Sequence, residues 1–358
     1  MNQEIESLLY SNLLQGQRKA SLFSNADAKQ INKLCGQYLK AGFVLESNSL
    51  DPANEELLNS LKAQRRVASV KLISMKQALI DIARVFNYQN IDFLVLKGLA
   101  LAMGGIYKPG VRAARDIDLL VSAANIPHAY KALRALGFKY LDPDTADQAT
   151  IFKKHQFPVM TNHQGTLIEL HWRVTGVESF KDCPLTETIF AHRQECSRYP
   201  GIYIPNIAGM MAHALYHSLI HHRMEHGPLF LFDLAALYKY NQNMWPQDNS
   251  LIEKLGLMDT FEQCKRLIEM TAKEDEFSPQ SITLINTIFK DFDWPLRTEP
   301  RFSLFGITDQ RISMAEILTK FKNKIQMVSY MYQLPPSSPR YWFLFFKDLL
   351  RVSRKIRF

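Results

Sequence analysis

The chain has 358 residues, a formal net charge of +8, and 47% hydrophobic and 22% charged residues. This is the composition of an ordinary globular protein, long enough to bury a sizeable core in two or three units. No apolar run approaches the roughly 18 residues of a membrane-spanning helix, and the excess positive charge suits a polyanionic partner such as nucleotide, nucleic acid or membrane surface without choosing among them.

The start, MNQEIESLLYSNLL, lacks the basic and apolar regions of a signal peptide. Cys35, Cys183, Cys196 and Cys264 are widely spaced with no CxxC pair, so they are expected as unpaired thiols in a reducing cytoplasm rather than a zinc or disulfide framework. Residues 1–90 read as helical. In LLNSLKAQRRVASVKLISMKQALIDIARVF, Leu72/Ile73, Leu79/Ile80 and Ala83/Phe86 recur on one stripe at helical spacing, and Asp51-Pro52 is an N-terminal helix signal. The period then changes. IDFLVLKG is a short apolar, β-rich run closed by glycine, as expected of a buried strand. ALAMGGIY reads as a short helix, KPGVRAA as a loop with a Pro-Gly turn, and DIDLLV as a second strand. IPHAYKALRALGF is an amphipathic helix with Ala129, Leu133 and Leu136 on one side and Gly137 near its end. Beyond the polar LDPDTADQ, HQFPVMT and TLIELHWRV are strand-like and joined by NHQG, a hairpin signal. From Pro205 the periodicity is helical again. The predicted architecture is an α/β core, residues 91–204, between helical regions 1–90 and 205–358.

The stretch RAARDIDLLV holds Asp116 and Asp118 on either side of Ile117. On a strand, side chains alternate between faces, so both carboxylates would point one way. Two like charges on a buried strand repel each other and are costly to desolvate. TLIELHWRV puts Glu169 and His171 on one face, with Ile168, Leu170 and Trp172 opposite. If the two strands are neighbours, Asp116, Asp118 and Glu169 converge. Three carboxylates form a hard-oxygen site for Mg²⁺ or Mn²⁺, whose charge offsets the repulsion. A D-x-D read alone fits equally an exposed strand start and a wet strand face. Its surroundings favour the metal reading. Lys97-Gly98 closes a strand and opens a helix, with Gly98 18 residues before Asp116. Glycine lets backbone approach a ligand, and a helix start offers N–H groups to phosphate. Arg112 and Arg115 precede the acidic strand, placed to pair with triphosphate oxygens or with the acids themselves.

The order strand–KG–helix–R-x-x-x-DIDLLV–helix–GF–hairpin–ELHW resembles the polymerase-β-like nucleotidyltransferase superfamily. It looks most like a group of bacterial nucleotidyltransferases carrying LKG…Y…R…DIDLLV and a later DLHW-like strand. The resemblance is clearest over residues 91–175 and extends more faintly to the His-rich helix and FLFDLAALY. It implies an α/β (α+β) fold, a mixed sheet flanked by helices, with Asp116 and Asp118 as Mg²⁺ ligands. Glu169 would be the third carboxylate, ligand and candidate general base. Lys97, Gly98, Arg112 and Arg115 would face the nucleoside triphosphate. The activity implied is transfer of an NMP unit to an acceptor hydroxyl with pyrophosphate release, the acceptor being a sugar, lipid-linked intermediate, peptide or protein. Replacing Asp118 by Asn is then expected to lower turnover while keeping or raising stability, because it removes one repelling charge. One departure is that Leu99 follows Gly98 where the superfamily usually has Ser or Gly, and the interval to Asp116 is longer than in compact members. This keeps open a second reading, a binding or regulatory protein that retains the fold without catalysis. A third, a nucleic-acid-binding module, rests on net charge alone. Basic residues are scattered and not interleaved with aromatics, so no stable nucleic-acid partner is expected.

His213, His217 and His221 fall at i, i+4 and i+8 on one helix face, with His222 and His226 close by. They are expected to face substrate or to line a packing seam against the core. No carboxylate or cysteine sits among them at ligand spacing, which disfavours a metal there. His171 shares the face of Glu169 and is placed to orient it. Asp233, in the apolar run LFLFDLAALY, is expected to pair with one of these histidines or with an arginine. The tail WFLFFKDLLRVSRKIRF sets five cations against one Asp beside an aromatic run. It suits either a peripheral membrane contact or packing of its aromatic half onto the protein.

Overall fold

The structure, a computed structural model, describes residues 41–46, 54–141, 156–175, 184–222 and 229–273, with the backbone alone for 271–273. The chain divides into two compact units, Met1–Thr145 with Lys154–Trp294 and Ala146–Lys153 with Pro295–Phe358, and every described residue belongs to the first. Asp51-Pro52, Cys35, Cys183, His226 and the basic C-terminal tail lie outside the described residues.

A short helix, α1 (Ala41–Glu46), precedes the 34-residue α2 (Glu55–Tyr88). The Asn54 side chain caps α2 by accepting the Leu57 N–H. Leu57 and Leu61, then Leu72, Met75, Leu79, Ile82 and Phe86 form its buried stripe, spaced within each group at three and four residues as an amphipathic helix requires. Ile73, expected on that stripe, is 66% exposed. One residue of helix rotates by about 100°, so with Leu72 in the core its neighbour turns outward.

Five short strands follow: β1 (Phe93–Val95), β2 (Ile117–Val121), β3 (Lys139–Tyr140), β4 (Met160–Thr161) and β5 (Leu167–His171). Their order across the sheet is β1-β2-β5-β4-β3. β2 pairs antiparallel with β1 and parallel with β5, so the sheet is mixed. Every residue of β1 and β2 is buried, which explains why both read as apolar runs without alternation, interrupted in β2 by Asp118. The predicted hairpin joins β4 to β5. Asn162 accepts the N–H groups of Gln164 and Thr166, and Gly165, at φ +75°, takes the left-handed position that closes the turn.

The helix after β1 begins earlier than ALAMGGIY suggests: α3 spans Lys97–Met103 and ends at Gly104. α4 (Ile126–Ala135) buries Ala129 and Leu133 and packs against α2, with Gly137 at φ +86° past its end. α5 (Leu185–Ala191) leads into a two-stranded antiparallel pair, β6 (Arg193–Glu195) and β7 (Tyr203–Pro205). Asn206 caps α6 (Ile207–Leu215), which continues as a π turn over Tyr216–His221. α7 (Leu229–Tyr240), α8 (Ser250–Lys254) and α9 (Met258–Lys273) complete the described chain. Cys196 and Cys264 are free, buried thiols. Among the described residues, no helix is long and apolar enough to cross a membrane. The mixed α/β core with helical flanks is the fold class expected.

Candidate active site

Parallel pairing of β2 with β5 sets Asp118 in register with Glu169, and Leu120 with His171. Asp118, Glu169 and His171 each bring one ligand atom within 4.8 Å of the others. Asp118 is 1% exposed and His171 2%, on strands whose other side chains, Glu169 apart, are aliphatic. His171 Nε2 lies 3.0 Å from Asp118 Oδ1 and 3.5 Å from Glu169 Oε2. Asp116 stands outside this trio. It precedes β2, which begins at Ile117, so strand alternation does not fix its side chain beside Asp118.

A fourth group completes the cluster. Lys97 Nζ is 2.6 Å from Asp118 Oδ1 and 3.4 Å from Glu169 Oε2. The ammonium reaches there because β1 runs antiparallel beside β2: the Leu96 N–H donates to the Asp118 carbonyl, and Lys97 follows at once. The chain turns from β1 into α3 at this residue, with Lys97 at φ +53°. A left-handed backbone costs a lysine roughly 1–2 kcal/mol. Such strain gathers at functional positions that the surrounding structure over-determines.

The charges respond to one another. Burial alone would raise the Asp118 carboxyl, but Lys97 and His171 outweigh it and hold Asp118 well below the usual carboxylate range. Burial would lower Lys97 and His171, and the carboxylates raise both. Asp116 is the exception. Burial, followed by repulsion from Asp118 and Glu169, pushes it up to about 7, with Lys97 and His171 opposing only in part. The cluster is short of positive charge, and Asp116 carries the shortfall.

Above these groups opens a cleft of about 340 Å³. Glu169 and His171 line it from β5, Lys97 from the start of α3 and Asp116 from the residue before β2, with His213, His217 and His221 from α6 and the π turn and His222 just after it. The histidine face thus looks onto the α/β core. His213 is pushed down to about 3 by burial and then by the charge of Lys97, and His217 is lowered by the same two causes, so both rings are neutral near pH 7.

Arg112 and Arg115 part company. Arg115 is exposed at the cleft rim. Arg112 forms a two-pronged pair with Asp233 of α7, Nε to Oδ1 at 2.9 Å and Nη2 to Oδ2 at 2.9 Å, while the Tyr107 hydroxyl donates to Asp233 Oδ1 at 3.0 Å. Of the two partners expected for Asp233, it is the arginine that serves. A Cβ on Gly98 would collide with Arg112 Nη1. Glycine is therefore required here by the packed guanidinium.

A model of the family described as uncharacterised nucleotidyltransferase matches residues 22–272, well over half of the chain. The chain belongs to that nucleotidyltransferase family. Among solved structures it is similar to an antigenic nucleotidyltransferase-like protein from Paracoccidioides brasiliensis, at 15% identity and a TM-score of 0.36, over 56% of this chain and 92% of that one. No curated protein matches it.

A divalent cation is what the resemblance to active nucleotidyltransferases implies, and the donors can be tested against it. Asp118 and Glu169 supply hard oxygen ligands from two rigid neighbouring strands. Part of the rise on Asp116, after burial, is repulsion from Asp118 and Glu169, and an added cation would cancel that part. Lys97 now provides part of that charge and would have to yield its two carboxylates. The donor set fits a hard divalent cation held by Asp118 and Glu169. Sequence reasoning placed Lys97 at the triphosphate and missed that it bridges the acids. The signal lay in its position, the second residue after a strand antiparallel to β2.

Proposed function

We propose that this nucleotidyltransferase moves an NMP unit from an NTP to an acceptor hydroxyl, releasing pyrophosphate, with Mg²⁺ or Mn²⁺ held by Asp118 and Glu169 and supported by Asp116. The observation that carries this reading is the in-register pairing of Asp118 with Glu169 at the base of a cleft beside a third, electrostatically unsatisfied carboxylate. When bound, the cation would neutralise triphosphate charge and stabilise the attacking and leaving oxygens.

The protein's own residues would do the rest. Lys97, displaced from the carboxylates, turns its ammonium toward the phosphate oxygens. Arg115, at the rim, meets the triphosphate from the solvent side. Arg112 acts at one remove, fixing the turn around Gly98 through its bond to Asp233. Glu169 orients the acceptor hydroxyl and is the candidate to take its proton. His171, held by Asp118 and Glu169, fixes the carboxylates, and His213, His217 and His221 face the acceptor side of the cleft. The test is incubation of the protein with each of the four NTPs, labelled at the α-phosphate, with Mg²⁺ or Mn²⁺ and a cell-extract acceptor pool. Pyrophosphate release and label on an acceptor are expected. Absence of both with every NTP and either metal would end the transfer reading.

The ammonium lying between Asp118 and Glu169 favours a second reading, a nucleotide-binding or regulatory protein in which Lys97 takes the place of the cation. It predicts saturable NTP binding without pyrophosphate release, insensitive to chelator.

A further inference from the structure

α6 gives way at Tyr216 to a π turn, closed where the His222 N–H donates to the His217 carbonyl at 3.0 Å. An ordinary helix would set His217 beside His221, four residues on. The wider winding instead sets His217 against His222, five residues on. Their Nε2 atoms face each other at 3.1 Å, with ring centroids 4.4 Å apart. The His221 ring lies 4.6 Å from that of His222 and 5.8 Å from that of His217. All three line the cleft. Single π turns interrupt a regular hydrogen-bond ladder and recur at functional sites.

The expectation against a metal here rests on regular helical spacing, which the π turn breaks; we propose that His217 and His222 form a second cation site, selective for a borderline first-row divalent ion of the Zn²⁺ or Co²⁺ class. The site is separate from the oxygen ligands of Asp118 and Glu169. Two imidazole nitrogens bound at about 2.0–2.1 Å to one tetrahedral ion stand roughly 3.3–3.4 Å apart. The observed 3.1 Å reaches that with a movement of a few tenths of an ångström. Among the described residues the two imidazoles fill two coordination positions, and the others would be taken by water or by a donor atom of a bound molecule. The donor chemistry sorts the ions: imidazole suits Zn²⁺ and Co²⁺, carboxylate and water suit Mg²⁺. The alternative is a plain hydrogen bond between neutral rings, one donating and one accepting. This inference does not depend on the transfer reaction and stands or falls separately.

The test uses the full chain, stripped with EDTA and then titrated with Co²⁺ in excess Mg²⁺, followed by calorimetry and visible absorption. One Co²⁺ per chain with d–d bands is expected, lost in His217→Gln and in His222→Gln and retained in Asp118→Asn. X-ray absorption at the Co²⁺ of the unmodified chain should show the scattering of two imidazoles, a readout that needs no variant to fold. No Co²⁺ binding, binding that survives both histidine variants, loss in Asp118→Asn, or a shell with one imidazole or none would each overturn the proposal.

Discussion

Around Asp233, one carboxylate meets one guanidinium and one phenol. Around Asp118, carboxylates at 116, 118 and 169 share one ammonium and one imidazole. Both clusters are buried and both lie against the same cleft. The first is balanced: Arg112 and Asp233 are 13% and 6% exposed, burial would lower Arg112 but Asp233 raises it, and burial followed by Asp233 raises Tyr107 far above its ordinary value. The second is left over-negative, and the excess falls on Asp116. A balanced cluster ties α7 to the loop before β2. An unbalanced one is poised to take up a cation. Both clusters are desolvated, and what differs between them is the charge balance that burial acts on: matched at Asp233, unmatched at Asp116.

The largest effect is expected from breaking the balanced cluster. Asp233→Ala leaves the Arg112 guanidinium buried without its carboxylate, and removing one partner of such a pair costs about 3–5 kcal/mol. Chemical denaturation should show that loss. The double variant Arg112→Ala with Asp233→Ala should be less destabilised than the sum of the two single changes, because no uncompensated charge remains. Additive losses would mean that the pair is not a unit.

Asp118→Asn strikes the other cluster and should separate turnover from stability. Loss of a key charge at the reacting phosphate is expected to lower kcat about 10²-fold or more. Mg²⁺-NTP should raise the melting temperature of the unmodified chain and that of the variant much less. Stability should fall, by about 1.5–3 kcal/mol for hydrogen bonds to charged groups. This reverses the gain expected from sequence, where Asp118 was the repelling acid. With Lys97 and His171 against it, Asp118 is the best satisfied carboxylate of the set, and the repulsion sits on Asp116.

Gly98→Ala joins the two clusters in one experiment. Its Cβ meets Arg112 Nη1, so overpacking should cost about 1–3 kcal/mol. In an Arg112→Ala background, where that nitrogen is gone, the same change should cost much less. An equal cost in both backgrounds would place the requirement for glycine elsewhere.

Local pattern made much of this legible. The apolar runs of β1, β2 and β5 and the Asn162–Gly165 turn are encoded by neighbours in sequence, and period two alone put Glu169 and His171 on one face. What stayed hidden depends on distance or on irregular winding. Arg112 and Asp233 are 121 residues apart, and nothing near either names the other. Lys97 reaches Asp118 only because β1 runs antiparallel to β2. His217 pairs with His222 through a π turn, where helical spacing points to His221. Asp116 looked equivalent to Asp118 because D-x-D assumes both residues are on the strand, and the strand starts between them.

The smallest effect is the most specific to the imbalance. The Asp116 carboxyl titrates at about 7 in the fold against about 3.9 in an unfolded chain. Its native form therefore holds the extra proton between those values, and the stability it contributes is full below pH 4 and lost as pH rises through 7. His213 acts in the opposite sense: at about 3 in the fold against about 6.5 unfolded, it weakens the fold as pH falls through that window. The two slopes oppose each other, and His217, lowered in the same way, adds to the rise, so Asp116 flattens the profile of the unmodified chain without levelling it. Asp116→Asn removes one of them. The variant should match the unmodified chain near pH 4, exceed it in melting temperature at pH 7.5, and show the steeper rise with pH that the buried histidines impose. Mg²⁺ competes with the proton, so it should stabilise the unmodified chain more at pH 8 than at pH 5.5, and Asp116→Asn should lose most of that difference. Parallel profiles for the two proteins, with and without Mg²⁺, would mean that Asp116 does not carry the excess charge of the site.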